Sequence, residues 1–211
     1  MMELIAGMMA SPAIYPVVFV LALLDAILPI VPSETVVIAA AVFAVSGVPS
    51  LPLIIVLAAV GAFVGDHIGY ALGRWLSRRR PGGRLARAAA RVAPHLHRRG
   101  GALIIAGRFV PGGRTAVVTA GGATGYPLAR FSLFTAVAAA LWATYSGIIG
   151  LLGGAAFEAN PAMGLLAGLG IAMGVTLAGE VIRRLRASRK ASREASRRAD
   201  LATQPAPELV R

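Results

Sequence analysis

The chain has no cysteine, which excludes a thiolate nucleophile and a cysteine metal site and leaves the redox compartment unreadable. Charge is scarce as well. Only 14% of residues are Asp, Glu, Lys or Arg, against about 25% in a soluble domain. With 57% hydrophobic residues and a mean hydropathy of +0.74, the composition is that of an integral membrane protein, and the 211 residues suit one domain of several spans. Acidic residues are fewer still, nine against 21 basic ones. No basic residue precedes Arg74, so the N-terminus lacks the basic region of a signal peptide and its first apolar segment is expected to be retained.

The basic residues are confined. Nine arginines lie between Arg74 and Arg99 and nine Lys/Arg between Arg183 and Arg211, leaving only Arg108, Arg114 and Arg130 elsewhere. The positive-inside rule places both blocks in the cytoplasm. Beside a membrane such blocks meet anionic lipid. Nucleic acid is not the expected partner, because the tail lacks interleaved aromatics and a known fold signature. The preference for Arg over Lys fits a high-GC bacterial genome; with both basic blocks cytoplasmic, the location expected is a bacterial plasma membrane.

Two segments are broken where a span should be continuous. In the first, apolar residues 14–28 end at Asp25-Ala-Ile-Leu-Pro29-Ile-Val-Pro32-Ser33-Glu34, and a second apolar piece runs from Thr35 to Val45. Two prolines break the helix; Ser33 can cap the next one, with Glu34 near its positive end. Neither piece reaches the ~20 residues of a span, so 14–46 is expected to be a helical hairpin turning at the prolines. In the second, Arg108-Phe-Val-Pro111-Gly112-Gly113-Arg114 interrupts apolar residues 102–123. The expectation is two half-helices, about 102–109 and 114–123. Such a break survives in lipid only when buried in protein or lining a watery cavity, and arginine at membrane depth is a functional-site signal.

Between and after these lie spans at 53–75, 128–152 and 161–182, a basic amphipathic helix at 78–99 on the cytoplasmic surface, and a tail, 183–211, that ends disordered. Gly61, Gly65, Gly69 and Gly73 recur every fourth residue, and Gly164, Gly168, Gly170 and Gly174 line the last span. These smooth faces suit close helix packing, within the monomer or in a homo-oligomer. Asp66, Tyr70 and Arg74 share a neighbouring face. Tyr126 and Arg130 suit an interface, whereas Trp142 and Tyr145 sit deep enough to pack internally. His95 and His97, two apart, do not share a helix face and are expected in solvent rather than on a metal. His67 could relay protons, but a satisfied core histidine is the simpler expectation.

Parity of crossings organises the whole. If both basic blocks are cytoplasmic, the three apolar segments between them must cross twice, so 102–123 enters and leaves on the cytoplasmic side. By the same argument 14–46 enters from outside. The fold class expected is an all-α polytopic membrane bundle with two opposed re-entrant hairpins whose tips meet near the midplane, as in transporter binding sites.

Four pieces in order — Asp25 with Pro29-x-x-Pro32-Ser-Glu34, Gly65-Asp66-x-x-Gly69-Tyr70-x-x-Gly73-Arg74, Arg108-x-x-Pro111-x-x-Arg114, and Gly121 — resemble the DedA family, also called the VTT-domain or SNARE-associated superfamily, over about residues 14–182. The chain departs in having Ile104 where the family often has an aromatic, and Asp25 where it often has Glu. The resemblance implies two opposed re-entrant hairpins and lipid-linked transport: flipping of undecaprenyl phosphate or another polyprenyl-phosphate carrier, or phospholipid scrambling, with possible coupling to the proton gradient. It also implies that the acidic and arginine positions of these motifs are essential.

The residues suit that chemistry. Arg108 and Arg114 offer planar donor forks for phosphate. The N–H groups of Gly113, Arg114 and Thr115, at the start of the second half-helix after Gly112, are expected to be free for an anion. Asp25, Glu34 and Asp66 supply opposite charge. Burial generally favours the neutral carboxyl, so protonation of one of them would release the arginines to a lipid phosphate. Asp66 is the member most suited to a purely structural role, pairing with Arg114 or capping the broken helix. The alternatives are a proton-coupled small-solute exporter and a structural membrane protein. An enzyme would need a nucleophile with its base, or a carboxylate–metal cluster; the sequence offers neither, and no cofactor is expected.

Overall fold

A computed structural model describes residues 11–27, 33–110 and 112–157, with isolated positions at 7, 163, 166–167, 170–171 and 173–174. The Pro29/Pro32 break, Pro111, nearly all of the expected span 161–182 and the tail 183–211 lie outside the described residues. All six described helices belong to the first of two compact units, Met1–Met173; of the second, Gly174–Arg211, only Gly174 is described. They are α1 (Ile14–Ile27), α2 (Ser33–Phe43, continued by a 3₁₀ turn at Ala44–Ser46), α3 (Leu51–Arg79), α4 (Arg84–Arg108), α5 (Gly113–Ala123) and α6 (Leu128–Ala156). No strand occurs among the described residues.

Two of these helices, α3 and α6, are 29 residues each and apolar enough to cross a bilayer. Each turns one continuous apolar stripe outward: Val56, Val60, Ile68 and Leu72 on α3, and Leu133, Val137, Leu141, Ile148 and Leu152 on α6. Stripes of this extent are unusual on a soluble monomer and ordinary against lipid. The helix expected at 53–75 begins at Leu51, because Pro52 needs no amide partner in the first turn, and it runs on to Arg79, where arginines suit the negative helix end. The helix expected at 128–152 likewise continues to Ala156.

The long helices run antiparallel. Ile55 of α3 packs on Gly147 of α6, and eleven residues on, Asp66 meets Thr135. The short helices lie in pairs along them. α1 runs parallel to the first half of α3: the Tyr15 hydroxyl accepts from the Ser50 amide, Phe19 and Ala22 lie on Gly61, and Leu23 and Ala26 lie on Gly65. α2 then returns beside the second half of α6, with Ile38 on Gly150 and Val42 on Gly154. At the other end, α4 runs beside the first half of α6, from Gly101 against Phe134 to Arg108 over Trp142. α5 returns along the second half of α3, from Arg114 near Ala62 to Ala123, whose carbonyl accepts from Ser77. The described ends beside the two breaks, Asp25 and Ser33 in the first and Arg108 and Arg114 in the second, therefore lie near mid-length of the long helices.

The glycine stripe of α3 makes this possible. A Cβ on Gly65 would run into the Ala26 methyl and the Leu23 carbonyl, and one on Gly73 into the Thr119 backbone. The stripe is thus spent within the monomer, Gly61 and Gly65 on α1 and Gly69 and Gly73 on α5. One expectation is revised at α4. The basic helix and the first half-helix are one run, interrupted only at Arg99 (φ −136°, ψ 28°) just before Gly100 and Gly101, which admit the Tyr126 and Phe134 rings. Of the apolar residues at helical spacing in its basic part, Ala89 and Leu96 are buried while Ala88 and Val92 are exposed. Tyr126, expected at an interface, is 3% exposed, because its ring fills the space at Gly100 and its carbonyl accepts from the buried Tyr70 hydroxyl.

Candidate functional site

The tips bring charges together from four helices. Asp66, 1% exposed in the middle of α3, is the hub. Its Oδ2 accepts from Arg108 Nη1 at 2.8 Å and from the Thr135 hydroxyl at 2.6 Å, and its Oδ1 accepts from Arg114 Nε at 2.7 Å. Arg114 goes on to donate from Nη1 to Asp25 at 3.2 Å and from Nη2 to the Ala62 carbonyl at 3.4 Å. Asp25, near the end of α1, also accepts from the Ser33 hydroxyl at 2.8 Å. Ser33, expected as a cap, is thereby turned across the tip toward α1.

Local sequence explains this convergence. Val110 closes the end of α4, its carbonyl accepting the Gly113 amide at 2.8 Å, and Gly112 takes φ +69°, a left-handed conformation that only glycine adopts without strain. The chain reverses within a few residues, so α5 starts with Arg114 aimed back at α3. The expectation of free N–H groups therefore fails at Gly113, whose amide is used inside the turn. Thr115 contributes its carbonyl, which accepts from the Thr119 hydroxyl.

Two guanidiniums face two carboxylates here, Asp25 and Asp66, rather than three. Glu34 is directed elsewhere: it accepts a hydrogen bond from the Tyr145 hydroxyl on α6. It stays nearby, since the Tyr145 ring lies 6.0 Å from that of Phe109, the neighbour of Arg108. Trp142, one turn before Tyr145, lies under the Arg108 guanidinium at 5.0 Å. Sequence reasoning placed Trp142 and Tyr145 inside the protein but gave them no part in the site; their spacing to the arginines depends on how α4 lies along α6 and leaves no local signal.

The two arginines are satisfied unequally. All three nitrogens of Arg114 donate. Arg108, with a side chain only 3% exposed, uses Nη1 alone; its Nε and Nη2 are buried without a partner among the described residues. An unmet buried donor costs about 1–3 kcal/mol, more when charged, so this is the place where the site can take an acceptor.

The histidines stand apart. The Phe63 carbonyl can only accept, so His67 donates to it from Nδ1 at 2.8 Å, and in the neutral ring Nε2 accepts from Ser132 at 2.8 Å. Packed on Phe63 and Phe131, His67 is a satisfied core residue. His95 and His97 are exposed. No group of His, Asp and Glu suited to a metal occurs among the described residues.

Residues 31–152, more than half of the chain, match the family model of the VTT domain. No curated protein and no solved structure matches the chain.

Proposed function

From the premise that this chain belongs to the VTT-domain (DedA/SNARE-associated) family, we propose that it is a membrane translocase for a lipid phosphate carrier such as undecaprenyl phosphate. Family membership and the two long apolar helices support a membrane protein of transporter-like character. The finer reading rests on one observation: a near-neutral cluster in which the buried Arg108 and Asp66 join the partly buried Arg114 and Asp25 beside the middle of α3. Holding two guanidiniums at such depth is costly unless they serve a ligand or an essential contact.

In this reading α1–α2 and α4–α5 are re-entrant hairpins from opposite membrane faces, and the basic run through Arg99 and the tail lie in the cytoplasm against anionic lipid. The phosphate enters between the tips and takes donors from the arginine cluster, while the tail of the carrier stays in the bilayer. Asp25 supports a coupling role, because its side chain is 23% exposed and holds Arg114 by one 3.2 Å contact. Protonation there loosens Arg114 without releasing it from Asp66. Glu34 is the second group that can exchange a proton, held by a phenol rather than a cation.

The test is transport in liposomes: outer-to-inner movement of a polyprenyl phosphate across a pH gradient, wild type beside Arg114→Ala. Movement that needs both the protein and Arg114 supports the reading. Wild-type protein that inserts and folds but moves no lipid phosphate refutes it and favours a soluble cargo.

A further inference from the structure

The two arginines of the cluster are not equivalent, and the difference lies in which atoms are left over. Arg114 is spent on Asp66, Asp25 and the Ala62 carbonyl, which belong to α3 and α1. It ties three helices together. Among the described residues Arg108 makes one hydrogen bond, from Nη1 to Asp66. Its Nε and Nη2 have no hydrogen-bond partner among them. In a planar guanidinium the Nε–H and one Nη2–H leave the same edge in parallel, which is the edge that grips two oxygens of one carboxylate or phosphate. The same group lies over the Trp142 ring, 5.0 Å from its centroid. Glu34, the third acid of the motifs, is engaged by Tyr145.

We infer that the Nε–Nη2 edge of Arg108 is a single bidentate seat for the oxyanion of the cargo, and that Arg114 is a positioning residue which shapes the seat without taking the anion. The inference rests on the phosphate-carrier reading above and narrows it to one pair of atoms. The seat takes two oxygens of a phosphate monoester, whether carried by a lipid or by free phosphate. Lysine at 108 keeps the charge and loses the fork.

The protein carries its own reporter. It has two tryptophans, so Trp75→Phe leaves Trp142, against the seat, as the only one. In this background the full chain, in non-ionic detergent, is titrated with farnesyl phosphate, with inorganic phosphate and with farnesol. The expected result is a saturable change of Trp142 emission with one or both phosphates and none with farnesol. A response to inorganic phosphate as well marks the headgroup as sufficient; a response to farnesyl phosphate alone marks a lipid phosphate. Arg108→Lys is expected to raise the half-saturation point by at least about tenfold, the loss of roughly one charge-assisted hydrogen bond. Its thermal midpoint is expected to fall less than that of Arg114→Lys.

Absence of a saturable response to either phosphate overturns the inference, as does an unchanged half-saturation point in Arg108→Lys. So does an Arg114→Lys protein with wild-type thermal stability that has lost the response as fully as Arg108→Lys. Failure of the transport reading is distinct. Phosphate binding at Arg108 without lipid movement in liposomes refutes the carrier and keeps the seat, and lipid movement undiminished in Arg108→Lys keeps the carrier and refutes the seat.

Discussion

The Nε–H of Arg114 meets Oδ1 of Asp66 at 2.7 Å across 48 residues of chain. That contact joins the broken stretch to the middle of a long apolar helix. Because Asp66 also accepts from Arg108 and Thr135, it is the counter-charge on which both arginines depend.

Asp66→Ala is therefore expected to be the most damaging single change in the cluster. It leaves two buried guanidiniums without their main partner, and breaking a buried pair costs about 3–5 kcal/mol. Thermal unfolding of the detergent-solubilised protein should show a large drop, and a stability near wild type would mean that Asp66 does not hold the tips.

Tyr145→Phe removes the hydroxyl that Glu34 uses. An acceptor left unmet in a half-buried site costs about 1–3 kcal/mol. The variant should be modestly less stable, and Glu34→Gln, whose amide can still accept from the phenol, should lose less. A Tyr145→Phe protein as stable as wild type would argue that the pair contributes nothing.

At Gly65 the approach of α1 allows no side chain, whereas at Gly69 a new Cβ meets only the Val118 Cγ1 at 2.9 Å. Overpacking against backbone costs about 1–3 kcal/mol. Gly65→Ala should thus destabilise the protein more than Gly69→Ala and, by pushing α1 outward, weaken the contact of Asp25 with Arg114. The two midpoints, measured side by side, check the order.

The absence of cysteine makes the topology directly measurable. Single cysteines at Arg87, Arg99 and Thr124 should all react with an impermeant maleimide from the cytoplasmic side. One at Ser50 should react from the opposite side. Labelling of Arg99→Cys and Thr124→Cys from different sides would make 102–123 a full crossing and remove the re-entrant reading.

His67 fills its hydrogen bonds with Phe63 and Ser132. His67→Gln should leave the pH response of transport in place while lowering stability by about 1 kcal/mol. A flattened pH response with unchanged stability would restore it as a proton relay.

Much of this protein is written locally. Low charge and high hydropathy determine a membrane protein, since an apolar surface of this size is tolerated only in lipid. Pro111-Gly112-Gly113 determines a chain reversal between Arg108 and Arg114, because proline lacks the amide a helix needs there and Gly112 takes φ +69°. The four-residue spacing of Gly61 to Gly73 determines a face for close packing, and the family motifs follow from the same residues. What lay beyond the sequence was which partner each charge finds. Glu34 and Asp25 are both acids beside the first break, yet only Asp25 reaches Arg114, because α1 packs along α3 while α2 turns away to α6 and Tyr145. Arg108 and Arg114 look alike in the chain, yet Arg114 donates from all three nitrogens while Arg108 has Nε and Nη2 without a partner among the described residues. The difference comes from long-range packing: a guanidinium is satisfied by whatever acceptors neighbouring helices bring within about 3 Å, and no spacing along one strand of sequence determines that.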